Sequence, residues 1–132
     1  MGDEPAIQIL AEPKPMPSTR HLDIDEHGDV TLIRFRDDRV TDPMEIEDMG
    51  RQLYNVLEYK NCDKLVIDFS PVEFLSSATI GKLISLNRKA RVCKTAVRLC
   101  GMQQGVKDIF HLCSLDRVFD IREDENAAIA SF

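Results

Sequence analysis

The stretch that decides the fold spans residues 64–94 and reads KLVIDFSPVEFLSSATIGKLISLNRKARVCK. Its opening residues, 65–69, form an almost continuous apolar run, which is typical of an inner strand covered on both faces. Ser70 and Pro71 end this strand, because proline cannot donate to a sheet ladder. From about Ala78 the apolar residues recur at the 3.6-residue period of an amphipathic helix. The stretch therefore predicts a buried strand, one turn and a helix.

Three hydroxyl side chains, those of Ser76, Ser77 and Thr79, fall where this helix is predicted to begin. A helix N-terminus has free N–H groups and a partial positive charge. From composition alone, the favoured interpretation of Ser77 is an N-cap. A phosphorylated serine at the same place would put a dianion on the favourable end of the helix dipole without unfolding anything. We therefore expect the function of the chain at this exposed corner.

The rest of the chain alternates strand and helix patterns around this stretch. Residues 21–26 and 30–35 predict a hairpin, and Val40 is predicted to be an isolated core contact after it. Asp42 and Pro43 form a strong helix start, with an acidic N-cap and proline at the first helical position. The elements predicted from there are a helix to about Tyr59, the strand and helix of residues 64–93, a strand at 95–100, a helix carrying Val106 to Cys113, a strand at 117–121 and a helix at 123–132.

This order predicts an α/β fold. Strands that alternate with helices imply right-handed crossovers and a largely parallel sheet. The opening hairpin adds an antiparallel edge, so the sheet is mixed, and about four helices pack mainly on one face. Residues 21–132 form this single domain. Residues 1–20 carry four prolines and are expected to be a flexible leader; residues 7–10 within it could dock as an edge strand or bind a partner, or have no role.

Composition restricts the class of partner. The formal net charge is −6 and no long basic run is present, which argues against direct nucleic acid binding, because that needs clustered Lys and Arg. No apolar run is long enough to span a bilayer, and no signal peptide is evident. The four cysteines are not spaced as metal or redox motifs, so we expect no cofactor and reduced thiols in a cytoplasmic protein. Cys93 and Cys113 are expected on apolar helix faces as small core residues.

Signatures of catalysis are missing from the sequence. His21, His27 and His111 are scattered, and no G-x-S-x-G elbow surrounds Ser76 or Ser77, so no group that would activate a nucleophilic serine is evident. Asp68, at the end of the central strand, has two open interpretations. It is either a turn acceptor for the loop that follows or a residue that shapes the Ser77 corner.

The motif DFSPVEFLSSATIG at residues 68–81, followed by an amphipathic helix, resembles the STAS domain and, within it, the anti-sigma factor antagonists. The downstream pattern LCG…V…IF…LDRVFDI at residues 99–121 fits the same family, and the resemblance covers about residues 22–132. It implies the fold predicted above. It also places Ser77 on the serine that these antagonists phosphorylate. Ser76 then replaces the family's usual Asp, Ala78 replaces a second Ser, and Thr79 replaces a Gly, so Ser76 and Thr79 become alternative acceptors.

The resemblance further implies a regulatory binding protein in a partner-switching pathway, with no catalytic site of its own. The unphosphorylated form would bind an anti-sigma factor that is also a serine kinase, and a serine phosphatase would reset the switch. The protein would be a monomer or a weak dimer. The residues expected to contact the partner are Asp68, Leu75, Ser76, Ser77, Ala78, Thr79 and Lys82.

Two other functions stay open. The chain could be a non-phosphorylated STAS scaffold subunit of a signalling or lipid-transport assembly, in which case a stable partner would co-purify whatever the state of Ser77. It could also be an enzyme or a small-ligand receptor that uses the crevice at the sheet end, because α/β sheets often bind ligands beyond the strand C-termini.

Overall fold

The computed structural model describes residues 22–58 and 62–132, so the predicted leader lies outside the described residues. The strands are β1 (Leu22–His27), β2 (Val30–Phe35), β3 (Arg39–Val40), β4 (Lys64–Asp68), β5 (Phe74–Leu75), β6 (Ala96–Cys100) and β7 (Asp120–Arg122). The α-helices are α1 (Pro43–Glu58), α2 (Ser77–Cys93), α3 (Gln104–Leu112) and α4 (Glu125–Ala130), with a 3-10 turn at Leu115–Arg117.

Five strands form the main sheet in the order β1-β2-β4-β6-β7. Strand β1 pairs antiparallel with β2, and the other three pairings are parallel. The predicted mixed sheet with an N-terminal hairpin is therefore confirmed. Strand β4, predicted to be an inner strand, lies at its centre, and Leu65, Val66 and Ile67 are all fully buried.

The two faces of the sheet are covered unequally. Leu65, Ile67 and Phe69 point into the large core, which they share with α1, α2 and α3. In this core the Phe69 ring lies 4.9 Å from the Phe35 ring and 6.2 Å from the Phe110 ring, measured between centroids. On the opposite face, a smaller apolar cluster around Val66 packs under α4. The prediction of helices mainly on one face is thus confirmed, with α4 as the exception.

Helices α1 and α2 lie side by side and run in the same direction. The start of α1 is as predicted, since the Met44 N–H donates to the Asp42 carboxylate at 2.8 Å. Ion pairs join the two helices near both ends, Lys82 with Glu47 at 2.9 Å and Lys89 with Glu58 at 2.6 Å. Their N-termini consequently meet at the same corner of the molecule.

The interpretation of Val40 as an isolated core contact is wrong. Val40 is fully buried, but it belongs to β3, which forms a separate two-stranded parallel sheet with β5. In that sheet Arg39 pairs with Phe74 and Val40 pairs with Leu75. The short sheet connects the chain before α1 to the chain before α2, and so it positions the start of both helices.

Three other predictions need correction towards the C-terminus. The strand predicted at residues 117–121 begins at Asp120, because the chain makes a 3-10 turn first and Phe119 turns into the core against Phe110. The last helix is shorter than predicted and spans only Glu125–Ala130. Cys113 is exposed rather than a core residue, because α3 ends at Leu112 and the chain then turns through Ser114 in the left-handed region, φ 58°. Cys93 is only half-buried.

Candidate functional site

The corner at the start of helix α2, formed by residues 74–82 with β3 and the first turn of α1, is called here the α2 corner. Its central residue is Ser76, which has an extended backbone (φ −79°, ψ 163°) and accepts a hydrogen bond from the Thr79 N–H through its side chain. The Oγ–N distance is 3.2 Å. Ser76 is therefore the N-cap, and the interpretation of Ser77 as the N-cap is wrong by one residue. The reason is that β5 ends at Leu75, so the residue between the strand and the first helical residue, which is the capping position, is Ser76.

The three hydroxyl groups of the α2 corner have different surroundings. Ser77 is the first helical residue, is exposed, and makes no side-chain hydrogen bond to any residue that the structure describes. Thr79 is fully buried, and its Oγ1 donates to the Val40 carbonyl oxygen at 3.3 Å. Ser76 is half-buried, and its Oγ lies 3.1 Å from Thr79 Oγ1. Of the three candidate acceptors, only Ser77 is open to a protein partner in this conformation.

The surface around Ser77 is partly apolar and includes small residues. Phe74 is 40% exposed, and the Arg39 guanidinium lies 5.6 Å from the centroid of its ring. Ala78 is exposed, and so is Gly81, where an added Cβ would meet no atom within 4 Å. Met44, in the first turn of α1, is 78% exposed. Small residues on α2 and apolar side chains beside it leave a surface on which another protein can lie close to the helix.

Two of the predicted partner-binding residues, Leu75 and Lys82, make contacts within the protein that support the corner. Leu75 is only 3% exposed and anchors β5 against Val40. Lys82 pairs with Glu47, and its aliphatic stem lies beside Gly50, where a Cβ would come within 3.0 Å of it. Because Leu75 is buried, its part at the corner is to hold Ser76 and Ser77 in place.

Asp68 lies apart from Ser77. Along β4 it shares its side of the strand with Val66, which packs under α4, while Ile67 and Phe69 face the large core. Its Oδ1 accepts from the N–H of Ser70 at 2.9 Å and from the Ser70 hydroxyl at 2.5 Å. Of the two interpretations left open, the structure supports the turn acceptor.

Asp68 belongs to a charged cluster that holds α4 on the sheet. Arg34 donates from Nε and Nη2 to the two carboxylate oxygens of Glu125, at 2.6 and 2.9 Å, and from Nη1 to Asp25 at 3.1 Å. The hydrogen bonds from Arg34 lower the pKa of Glu125 to about 2. Burial, followed by a hydrogen bond with Glu125, raises the pKa of Asp68. The cluster therefore has one firmly ionised carboxylate, neutralised by Arg34, next to a carboxyl group that holds its proton more readily than usual.

Cys100 and His111 are two further titratable groups whose pKa values are shifted. No group of three His, Cys, Asp or Glu side chains there could hold a metal ion. Burial raises the pKa of the Cys100 thiol to about 12, so this cysteine stays protonated and unreactive at neutral pH. His111 is exposed, lies 2.9 Å from Asp116, and has its pKa raised by that carboxylate. Across residues 22–58 and 62–132, no helix combines the length and apolar character needed to cross a bilayer.

Sequence reasoning missed Arg39, Val40, Met44 and Phe74 at the α2 corner. Arg39 and Phe74 become neighbours only through the pairing of β3 with β5, and nothing in the sequence indicates that pairing. Met44 could have been found, because it follows the well-marked helix start at Asp42 and Pro43 on the turn that precedes the first buried residue of α1, Ile46.

Comparisons with known proteins agree with this architecture. A family model described as the STAS domain matches residues 21–128. The fold is similar to an anti-sigma-factor antagonist (STAS) domain protein from Planctomyces limnophilus, with a TM-score of 0.76 and 18% identity over 83% of this chain and 96% of that one. It is also similar to an anti-sigma factor antagonist from Mycobacterium paratuberculosis, with a TM-score of 0.73 and 20% identity over 86% and 97% of the two chains. A third similar structure is the Bacillus cell fate determinant SpoIIAA in its phosphorylated form, with a TM-score of 0.64 and 12% identity over 84% and 99%.

Proposed function

The chain belongs to the STAS domain family, and from that premise we propose that it is a regulatory binding protein that acts as an anti-sigma factor antagonist and is switched by phosphorylation of Ser77. In its unphosphorylated form it binds, through the α2 corner, an anti-sigma factor that is also a serine kinase. The complex forms in the cytoplasm and frees the sigma factor. A serine phosphatase returns the phosphorylated protein to the binding form.

The observation that carries this proposal is the state of Ser77. It is exposed at the first position of α2, and its hydroxyl has no hydrogen-bond partner among the described residues. A kinase can therefore reach it without opening the fold. The neighbouring cap is supplied by Ser76, so modification of Ser77 leaves the helix start intact.

The physical effect of the modification follows from its position. A phosphoserine adds about −1.5 to −2 charges at neutral pH. At the N-terminus of α2 this charge is tolerated by the protein itself, because the helix dipole and free N–H groups favour an anion there. On the partner's side, the added charge and bulk would occupy the exposed surface beside Phe74, Ala78 and Gly81. Phosphorylation is thus expected to weaken the complex while the fold persists.

The first experiment is phosphopeptide mass spectrometry of the full chain purified from its native host, during growth and under stress, with fragmentation that resolves Ser76, Ser77 and Thr79. We expect phosphate on Ser77 in a proportion that changes with condition. A protein without phosphate in every condition would contradict the switch and leave a STAS scaffold as the better function.

Binding is tested with matched variants and the kinase-type anti-sigma factors of the same host. Ser77→Asp should reduce affinity at least tenfold, and Ser77→Ala should bind like the unphosphorylated protein whether or not ATP is present. Asn126→Asp is the control, because it adds the same charge at an exposed position in the first turn of α4. Equal affinity of Ser77→Asp and Asn126→Asp would show that the α2 corner is not the binding surface.

A further inference from the structure

The geometry of the α2 corner determines which hydroxyl is the donor and which is the acceptor in each hydrogen bond. Thr79 has a single hydroxyl proton, and Oγ1 donates it to the Val40 carbonyl oxygen at 3.3 Å. A carbonyl can only accept. In the contact of 3.1 Å between Ser76 Oγ and Thr79 Oγ1, Ser76 is therefore the donor and Thr79 the acceptor.

The Ser76 hydroxyl is therefore both a donor and an acceptor. It donates a hydrogen bond to Thr79 Oγ1, and its oxygen accepts a hydrogen bond from the Thr79 backbone N–H at 3.2 Å. The side chain is also half-buried, whereas Thr79 is fully buried and Ser77 is exposed. Two adjacent serines thus differ sharply in how available their hydroxyl groups are, and Thr79 is the cause, since it supplies both of the atoms that bind the Ser76 hydroxyl.

We propose that Thr79 is a positioning residue that restricts phosphorylation to Ser77 by holding the Ser76 hydroxyl in the helix cap. This inference rests on the proposed function, because it names what selects the acceptor at the same site. Thr79 acts through Ser76 and through its bond to β3, and it does not contact the phosphate donor itself.

The chemistry of the transfer explains why an engaged hydroxyl is a poor acceptor. The serine oxygen attacks the γ-phosphorus of a nucleoside triphosphate bound to the kinase, and a new O–P bond forms as the bond to the leaving nucleoside diphosphate breaks. The serine proton passes to a base of the kinase. Ser76 would have to leave both Thr79 Oγ1 and the Thr79 N–H before its oxygen and proton could take these roles. Ser77 makes no such bonds to the residues that the structure describes.

The decisive variant is Thr79→Val, which keeps the approximate shape of the buried side chain and replaces its hydroxyl with a methyl group. The Ser76 proton then has no acceptor on residue 79, and the bond to Val40 is lost. Thr79→Ser keeps the hydroxyl and should rescue the wild-type pattern. Both variants and the wild-type full chain are produced in the native host, in a condition where the wild type carries phosphate on Ser77, and the ratio of phosphate on Ser76 to phosphate on Ser77 is measured by fragmentation.

We expect this ratio to rise about fivefold in Thr79→Val, which corresponds to the typical net contribution of one hydrogen bond, about 1 kcal/mol, and to stay at the wild-type value in Thr79→Ser. The control is Thr95→Val. Thr95 is also buried, and its Oγ1 donates to the Cys62 carbonyl oxygen far from the α2 corner. Thr95→Val loses an equivalent buried hydrogen bond and should leave the ratio unchanged, which separates acceptor choice from general destabilisation.

A second test starts from a single variant that leaves the core unchanged. In Ser77→Ala, an exposed substitution, Ser76 should remain unphosphorylated, whereas the double variant Ser77→Ala/Thr79→Val should acquire phosphate on Ser76. If phosphate moved to Ser76 in Ser77→Ala alone, or if Thr79→Val left the ratio unchanged while the wild type carried phosphate on Ser77, the inference would be overturned and the proposed function would stand. Absence of phosphate from every protein would overturn both.

Discussion

Helices α2 and α4 begin with the same capping arrangement and then differ at the next residue. Ser76 Oγ accepts from the Thr79 N–H at 3.2 Å, and Asp124 Oδ1 accepts from the Ala127 N–H at 2.8 Å. The first helical residue of α4 is Glu125, whose carboxylate is bound by Arg34. The first helical residue of α2 is Ser77, which is uncharged and exposed.

The two helix starts differ in how they use the interaction between a helix dipole and an anion. The positive end of a helix favours an anion. In α4 the anion is part of the sequence and is neutralised by an arginine from β2, so it fastens the helix to the sheet. In α2 the corresponding position is neutral and exposed, so a charge can be added there without breaking a side-chain hydrogen bond to any described residue. The two helix starts thus differ in the residue at the first helical position, which is Glu125 in α4 and Ser77 in α2.

The largest effect should come from altering the first helical residue of α4. Glu125→Gln removes the ionised partner of Arg34 and is expected to lower the free energy of unfolding by about 2 kcal/mol at pH 7, because charge-assisted hydrogen bonds are stronger than neutral ones. Urea unfolding followed by circular dichroism measures this. The control is Glu123→Gln, since the Glu123 side chain is 76% exposed and only pairs with Lys107 at 3.6 Å; it should leave the unfolding midpoint unchanged.

The difference in unfolding free energy between the wild type and Glu125→Gln should depend on pH in a defined direction. The pKa of Glu125 is lowered from 4.5 to about 2, so the ionised carboxylate stabilises the fold above pH 4.5 and this stabilisation is lost as the pH falls towards 2. The raised pKa of Asp68 acts in the opposite direction, because its protonation on acidification favours the folded state. The wild-type advantage over Glu125→Gln should therefore be complete at pH 6 and disappear between about pH 4.5 and pH 2. A constant difference over this range would contradict the role given to Arg34.

An intermediate effect should distinguish the two adjacent serines of α2. Ser76→Ala removes the cap and should cost about 1 kcal/mol, while Ser77→Ala should change the stability by less than about 0.5 kcal/mol. The two variants are controls for each other, since they delete the same atom one residue apart. Equal losses in thermal or urea unfolding would contradict the assignment of the cap to Ser76, and a larger loss in Ser77→Ala would assign the cap to Ser77.

The smallest effect should come from making α2 resemble α4. Ser77→Asp places a carboxylate at the first helical position and should raise the free energy of unfolding by about 0.5 kcal/mol at low ionic strength. The gain should shrink in 0.5 M NaCl, which screens exposed charges (the Debye length is then about 4 Å). A lower stability of Ser77→Asp at both salt concentrations would contradict the idea that this helix start tolerates a phosphate.

Elements whose pattern is local could be predicted from the sequence. The apolar run of β4 and the Asp42–Pro43 helix start each depend on neighbouring residues only, and both are found where predicted. The pairing of β3 with β5 could not be predicted, because two residues of each strand carry no periodicity and Val40 and Leu75 are far apart in sequence. The position of β7 was missed for a related reason. Phe119 is apolar and suits a strand, but it reaches the core from the turn before the strand begins.

The sequence predicted where the hydroxyl side chains lie at the start of α2, but it did not predict the hydrogen bonds that they make. The hydroxyl cluster at the start of α2 could be located from the sequence. Whether Ser76 or Ser77 is the cap could not, because both serines have the same capping propensity and the end of β5 decides between them. The orientation of Asp68 could have been predicted from the sequence. Side chains alternate along a strand, so Asp68 lies on the same face of β4 as Val66 and on the opposite face from Ile67.

The hydrogen bond between Thr79 and Val40 joins residues 39 positions apart in the chain. A synthetic peptide covering the serines of α2 would contain every hydroxyl of this corner and none of β3. In such a peptide Ser76 and Thr79 would be as open as Ser77, so a peptide array or a linear consensus would register three equivalent acceptors. If phosphorylation is restricted to Ser77 as proposed, the choice of acceptor depends on the folded conformation, so it has to be measured on the intact folded chain.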